Sequence, residues 1–388
     1  MPTTIFISAG EASGEHYGAL LVTALQEQLA AAGQTASFFG MGGQRMADAG
    51  LECVVRSEDM AVMGLTEVVL HLPRIWREFQ RLKQAIRQRP PSVAVLIDFP
   101  EIHFRLAKEF RRLGVPVIYF VSPQLWAWKK HRIQLVQKYI DKMLVIFPFE
   151  EPFYREQGVD AEFVGHPLAD LPAQSISRAQ FAAQNGLDPA RTWIGLLPGS
   201  RATEIRDHLP VILRAAQELS HGLEFVIPLA PTLTDSQREE AHRFVENHGE
   251  GLCIRFVEDA RAALFHARAS VVASGTATVE AALIGNPFVV VYRVSALTYA
   301  IAKRVVKVPH VAMANLIAGK RMVPELIQSD FTAENIVQEI ERLIPDSPAR
   351  QSMMEELARI RGLLGRLALG GAIDRVAAIT LEVIRTAG

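Results

Sequence analysis

Thr192–Ile205, TWIGLLPGSRATEI, carries the reading of the fold. An apolar run ends in Pro198-Gly199-Ser200-Arg201, and a helical pattern follows at once. An uninterrupted apolar strand that feeds a helix fits a parallel sheet covered on both faces. TIFISA (Thr4–Ala9), VAVLID (Val93–Asp98), PVIYFVS (Pro116–Ser122) and MLVIFPF (Met143–Phe149) form one series of such runs before it. TWIGLLPGS opens a second series, continued by LEFVIPLA, CIRFVED, SVVASGT and PFVVVYRV. The expected fold class is therefore α/β, with two Rossmann-like doubly wound parallel-sheet domains facing across a cleft, where ligands sit beyond the carboxyl ends of the strands. The expected domains are 1–168 and 169–345. A tail of helices over 346–388 packs across domains or between subunits. The Pro-containing stretch from Gly165 to Asn185 is the expected hinge.

A chain of 388 residues, 49% hydrophobic and 21% charged, is ordinary for two globular domains. The net charge of −1 argues against a nucleic-acid partner. Thr4–Glu15 already reads as a strand and its loop, so no signal peptide is expected. No apolar run reaches the ~20 residues that span a bilayer. Cys53 and Cys253 have no metal-ligand spacing and read as reduced core residues of a cytoplasmic protein.

The motifs narrow the chemistry. A P-loop sequence is missing, GEASGEHYG and GMGG do not fit a dinucleotide fingerprint, and there is no HExxH motif or Asp-x-Asp pair. No cofactor and no metal are expected. In LLPGSR, Gly199 permits close backbone approach, the Ser200 hydroxyl and helix N–H groups suit phosphate oxygens, and Arg201 adds a bidentate charge. The alternative is a plain strand–helix turn with a surface arginine. Ser274, Gly275 and Thr276 make a second anion-facing turn, with Glu280 one helical turn beyond Thr276. That carboxylate either accepts from a ribose diol or complements the helix dipole. Asp98, at the end of VAVLID, is either a general base or a cap for the helix opening near Pro100.

Ordered along nearly the whole chain are AGEASGE, GMGG, MAVMGLTEVVLHLPR, IDFPEIHFRLAK, YFVSPQLWAWKKHR, FPFEEPFY, FVGHPLAD, LLPGSRATEI, ASGTATVEAALIGNPFVVVYRVS, KVPHVAMANLIAG and VPELIQ. Together they resemble the lipid-A-disaccharide synthase family, inverting glycosyltransferases of the GT-B fold. The resemblance implies transfer from UDP-2,3-diacylglucosamine to the 6-hydroxyl of 2,3-diacylglucosamine 1-phosphate (lipid X). The products are a β-1,6-linked disaccharide 1-phosphate and UDP. It implies a metal-free enzyme, cytoplasmic and peripheral to the inner membrane of a Gram-negative-type bacterium, and a homodimer formed by C-terminal exchange.

Residue by residue, the resemblance makes Asp98 the base and Arg201 the group on the diphosphate. It places Glu280 at the ribose, Asn315, Glu325 and Gln328 at the donor sugar nucleotide, and Glu11, Ser13 and Glu15 near a sugar. Trp126 and Trp128 either support the acceptor or pack. A UDP-N-acetylglucosamine 2-epimerase-like enzyme and a non-catalytic sugar-nucleotide binder are the competing readings, since one fold hosts many activities.

Acylated substrates require access to lipid. Val62, Met63, Leu65, Val68, Val69, Leu70 and Leu72 form an apolar section before Pro73. Ile75, Trp76, Phe79, Leu82 and Ile86 follow on one face, with Arg74, Arg77, Arg81 and Arg87 among the remaining positions. This is expected to contact the inner-membrane surface, against the alternative of a helix buried under the first domain. Lys303, Arg304 and Lys307 read as a solvated basic cluster, against the alternative of a site for lipid phosphates.

Overall fold

The computed structural model describes residues 3–60, 65–127, 132–219, 222–305, 308–365 and 370–387. The chain divides into two compact units, Met1–Asp170 with Leu364–Gly388, and Leu171–Leu363.

The first unit is built on seven parallel strands: β1 (Thr3–Ala9), β2 (Ala36–Gly42), β3 (Glu52–Arg56), β4 (Val93–Ile97), β5 (Val117–Phe120), β6 (Lys142–Val145) and β7 (Ala161–Phe163), in the order β3-β2-β1-β4-β5-β6-β7. β1 and β4 are central and buried along most of their length, as continuous apolar strands require. Helices α1 (Ala12–Ala31), α2 (Gln44–Asp48), α3 (Leu65–Gln88), α4 (Pro100–Arg112), α5 (Ile133–Tyr139) and α6 (Glu150–Glu156) connect them. Phe6, Phe39 and Phe110 meet ring to ring in the core, with centroids 5.3 and 4.9 Å from Phe6. Gly40, Met41 and Gly42 of the GMGG motif form the end of β2, and Gly43 is the N-cap of α2. A Cβ on Gly40 would lie 1.9 Å from the Ile7 carbonyl oxygen, so this close approach of β2 to β1 needs glycine.

The second unit repeats the plan with β8 (Thr192–Leu197), β9 (Leu223–Pro228), β10 (Ile254–Val257), β11 (Ala269–Ala273), β12 (Phe288–Tyr292) and β13 (Glu325–Ile327), in the order β10-β9-β8-β11-β12-β13. Its helices are α7 (Arg178–Asn185), α8 (Ala202–Leu219), α9 (Asp235–His248), α10 (Ala260–His266), α11 (Thr276–Ile284), α12 (Ala296–Val305), α13 (Met313–Ala318), α14 (Ala333–Leu343) and α15 (Pro348–Leu364). The expected hinge ends in a capping box, Ser177 with Gln180, that starts α7. The C-terminal helices part company. Arg350 on α15 donates to the Arg268 and Leu343 carbonyls of the second unit, whereas α16 (Ala372–Ala387) packs on α1 of the first. Asp170 accepts from the Ala372 amide, and Glu162 pairs with Arg375 at 2.7 Å, fixing the start of α16.

The cysteines depart from the core reading. Both are half-buried and unpaired, with the Cys53 thiol directed to the Gly43 carbonyl and Arg191 donating to the Cys253 sulfur.

Candidate active site

In a doubly wound sheet a crevice opens where the strand order reverses, between the first strand and its neighbour on the other side. That point lies between β1 and β4 in the first unit and between β8 and β11 in the second. Part of the set singled out in the sequence lies at these points, Glu11 and Ser13 after β1 and Asp98 after β4 in the first unit, Gly199–Arg201 after β8 and Ser274–Thr276 after β11 in the second, whereas Asn315, Glu325 and Gln328 lie about the edge strand β13.

Asp98 does not cap α4. The N-cap position is Phe99, which makes no side-chain capping bond. Asp98 and Phe99 both have left-handed backbones, φ 50° and 51°, a geometry that costs non-glycine residues roughly 1–3 kcal/mol and clusters at functional sites. Burial, with the Glu11 carboxylate as the second cause, pushes the Asp98 carboxyl up to about 6, while the Phe99 N–H pulls the other way. The Phe99 ring lies over Gly10, where a Cβ would meet it at 2.3 Å. The β1 and β4 loops are thus packed face to face, and only glycine at position 10 allows it.

Two residues missed in the sequence complete this corner. The Asp98 carbonyl accepts from Tyr119 Oη at 2.6 Å and from His103 Nδ1 at 2.5 Å. The carbonyl can only accept, so Nδ1 carries the proton. Burial holds the imidazole neutral, its pKa pushed down to about 3, so Nε2 accepts from the Ser8 hydroxyl at 2.8 Å. The signals were a histidine five residues after Asp98 and a tyrosine inside an apolar strand. Neither marks a site without the fold.

Other first-unit expectations shift. The Glu15 carboxylate accepts from the Arg45 amide at 2.9 Å and so caps the start of α2. Ser13 is half-buried and Glu11, at the N-cap of α1, is exposed. Trp126 packs edge-on against Phe149 and donates to Glu150 at 3.0 Å, which supports the packing alternative; Trp128 lies outside the described residues. Glu150 also accepts from Ser122 Oγ and the Phe147 amide, and burial pushes its carboxyl up to about 7. It ties the loop after β5 to the start of α6.

In the second unit Gly199 has φ 134°, a backbone that favours glycine. The Glu204 carboxylate accepts from the Ser200 and Arg201 amides and pairs with Arg201 Nη1 at 3.0 Å. His208, fully buried, links the Pro198 carbonyl through Nδ1 to the Arg293 amide through Nε2. Gly275, φ 149°, opens α11. Glu280 sits in the second turn of α11, past the reach of dipole complementation in the first turn. It is half-buried, no ion pair or hydrogen bond holds it among the described residues, and burial raises its pKa despite Arg261.

Asn315 and Glu325 are differently employed from the expectation. Asn315 is fully buried. Its Nδ2 donates to the Val323 carbonyl and to Glu325, while its Oδ1 accepts from the Met322 and Val323 amides. Its amide valences are thereby used. Glu325 also accepts from the Val311 and Ala312 amides at the start of α13. Together they fold the loop before β13 and leave no side-chain group of Asn315 for direct ligand contact. Gln328 has a left-handed backbone, φ 56°, with its carbonyl held by Arg293 and its amide donating to Val294.

On α3, Leu72 and Trp76 are 51% and 65% exposed, one turn apart on the same face. Ile75 and Phe79 lean on the core and Leu82 and Ile86 are fully buried, so Trp76 stands off the stripe to which the sequence assigned it. Arg74 pairs with Asp59, Arg77 and Arg81 with Glu78, and Arg87 with Glu109. Val62 and Met63 lie outside the described residues, as do the side chains of Leu65, Val68, Val69 and Leu70. The same holds for Lys307 and the Arg304 side chain, while Lys303 is exposed. No helix among the described residues is long and apolar enough to cross a membrane.

The model of a family described as lipid-A-disaccharide synthetase matches residues 5–365. A lipid-A-disaccharide synthase of Acidobacterium capsulatum is 58% identical over 390 residues, covering 98% of this chain and 96% of that protein. The calicheamicin glycosyltransferase CalG4 superposes with a TM-score of 0.62 at 18% identity, over 99% of this chain and 98% of its own. A UDP-GlcNAc 2-epimerase from Neisseria meningitidis does so with the same score, 0.62, at 13% identity, over 100% of each chain. The last two share the GT-B fold and no more, because a transferase and an epimerase fit equally well. The sequence relationship separates them and does not favour an epimerase.

Proposed function

The chain belongs to the lipid-A-disaccharide synthetase family, and from that premise we propose how its own residues serve the glycosyl transfer from a UDP-sugar to a lipid acceptor. Asp98 takes the proton from the 6-hydroxyl of 2,3-diacylglucosamine 1-phosphate. The alkoxide oxygen then attacks the anomeric carbon of UDP-2,3-diacylglucosamine opposite the departing UDP, which inverts that centre. A base is required because a sugar hydroxyl is a weak nucleophile at neutral pH. Arg201 and the amides of Gly199, Ser200 and Thr276 stabilise the charge that develops on the diphosphate. Glu280 accepts from the ribose diol. The donor site thus uses protein groups alone.

The observation that carries this reading is the Asp98 carboxylate itself. It is released from helix capping, set at the central strand end on a strained backbone, and raised to about 6, near the working pH of a base. The test is to mix the protein with both substrates in detergent and follow disaccharide 1-phosphate and UDP by mass spectrometry. Asp98→Asn is expected to lower turnover at least a hundredfold with UDP binding unchanged. Near-normal turnover by that variant would remove Asp98 from the chemistry.

We also propose attachment to the cytoplasmic face of the inner membrane through the exposed Leu72–Trp76 face of α3, and a homodimer in which C-terminal helices are exchanged. Support for the first is an exposed apolar pair on an enzyme with acylated substrates. Support for the second is that α16 is a separate helix following the second unit in sequence.

A further inference from the structure

The Asp98 carbonyl lies at the bend between β4 and α4, where two consecutive residues adopt left-handed backbones. An extended strand running into a helix does not hold such a bend by itself. The grip comes from two sides. Tyr119 Oη reaches across from the neighbouring strand β5, and His103 Nδ1 reaches back from the first turns of α4. Both donors are fully buried, and His103 is itself anchored on Ser8 of β1. Strands β1, β4 and β5 and helix α4 are thereby all tied to one peptide group, and none of these side chains is needed to cap a helix or complete a sheet.

We infer that His103 and Tyr119 are positioning residues for the transfer step, gripping the Asp98 carbonyl so that its backbone, and with it the direction of its carboxylate, stays fixed. The inference rests on Asp98 being the base. Neither residue exchanges a proton: the tyrosine donates its O–H, and the imidazole is locked as the Nδ1–H tautomer by an acceptor-only carbonyl on one side and a hydroxyl donor on the other. Their effect is geometric. Loss of either donor lets the bend relax, and the carboxylate loses its aim at the acceptor hydroxyl.

The test is a set of variants of the full chain, with kcat and KM for both substrates and the thermal midpoint of each. Tyr119→Phe removes one hydroxyl and keeps the ring. It is expected to lower kcat at least tenfold, with both KM values within twofold. His103→Ala should do the same. His103→Asn, which puts an amide N–H near the place of Nδ1–H, should recover at least half of the lost kcat. In an Asp98→Asn background, Tyr119→Phe should change residual turnover by less than twofold, because its route of action is gone. A kcat within twofold of the parent for soluble, folded Tyr119→Phe, accompanied only by a lower thermal midpoint, would make the bracket structural and overturn the inference. Failure of Asp98 as base is seen separately, as near-normal turnover of Asp98→Asn alone. A loss in Tyr119→Phe alongside it would also overturn the inference, since the bracket would then act through something else. Should Tyr119→Phe be insoluble, the His103→Ala and His103→Asn pair decides: equal kcat in the two overturns it.

Discussion

Glu204 lies across the start of α8, its carboxylate accepting from the Ser200 and Arg201 amides while pairing with the Arg201 guanidinium at 3.0 Å. These are the groups assigned to the diphosphate. A bound diphosphate must therefore displace a carboxylate, and then bear its repulsion. Glu204→Gln keeps a capping oxygen and removes the charge. UDP is expected to bind that variant three- to tenfold more tightly by titration calorimetry, at a stability loss of about 1 kcal/mol from the weakened cap. Arg201→Ala should weaken UDP binding and lower kcat at least tenfold. An unchanged UDP affinity in both variants would leave the turn as a plain strand–helix junction.

Asp98 links activity to stability. Its folded-state pKa is raised from 3.8 to about 6, so between those values the folded chain holds a proton that the unfolded chain has released. Stability contributed by the protonated form is present at low pH and lost as pH rises to about 6. At pH 7 the ionised group costs the fold about 2–3 kcal/mol. Asp98→Asn is expected to melt several degrees higher at pH 7 and to match the parent near pH 4. Catalysis runs the other way, since the base must be ionised. The rate with limiting acceptor should fall tenfold per pH unit below about 6, and Glu11→Gln should move that limb to lower pH by removing a like charge. A limb indifferent to Glu11 would contradict the assignment.

Asn315 and Glu325 predict a stability phenotype. Asn315→Ala strands the Met322 and Val323 amides and the Val323 carbonyl in the interior, at about 2–4 kcal/mol. Asn315→Asp keeps one acceptor and turns the other end into a second carboxylate against Glu325, and is expected to cost at least as much. Urea unfolding gives both numbers. UDP affinity of the folded fraction should stay within threefold; a tenfold loss in stable protein would restore a direct ligand role to Asn315.

The membrane proposal reads out on vesicles. Leu72→Ser with Trp76→Ser should abolish sedimentation with phosphatidylglycerol-containing vesicles and leave turnover on detergent-dispersed substrates within twofold. Retained sedimentation would place the contact elsewhere. Salt is expected to matter little, because Arg74, Arg77, Arg81 and Arg87 are each already paired with a carboxylate of the protein.

The doubly wound units were legible because buried parallel strands announce themselves as apolar runs. What was missed lacks that signal. β2, inside the first sheet, is a short apolar run broken by Gly40 and Gly42; β3 and β13 are short edge strands with polar residues among the apolar ones, and β7, at the far edge of the first sheet, has three residues. Loop residues such as Asp98, Arg201 and Glu280 were legible because a strand end followed by a helix start is a position with chemical meaning. Glu15 and Asn315 sit in similar motifs, but a side chain that binds a backbone amide and one that binds a ligand look alike in one dimension. Only their partners, Arg45 thirty residues away and Val323 eight away, tell them apart. His103 and Tyr119 were hidden for the opposite reason. Each lies in an otherwise apolar face, and their shared target is a peptide carbonyl, which has no sequence identity at all.

The first unit closes with α16, which follows the entire second unit in sequence. Ala372, Val376, Ala377 and Ile379 are buried there, in the unit whose central helix is α1. During synthesis the second unit emerges and can fold whole, while the earlier unit waits on the ribosome with the α1 surface open to water or to a chaperone. Its completion is timed by the arrival of α16, not by its own place at the front of the message. After a proteolytic nick between the second unit and α16, the fold of the domain carrying Asp98 rests on packing, the Asp170–Ala372 hydrogen bond and the Glu162–Arg375 pair alone to keep that helix in its seat.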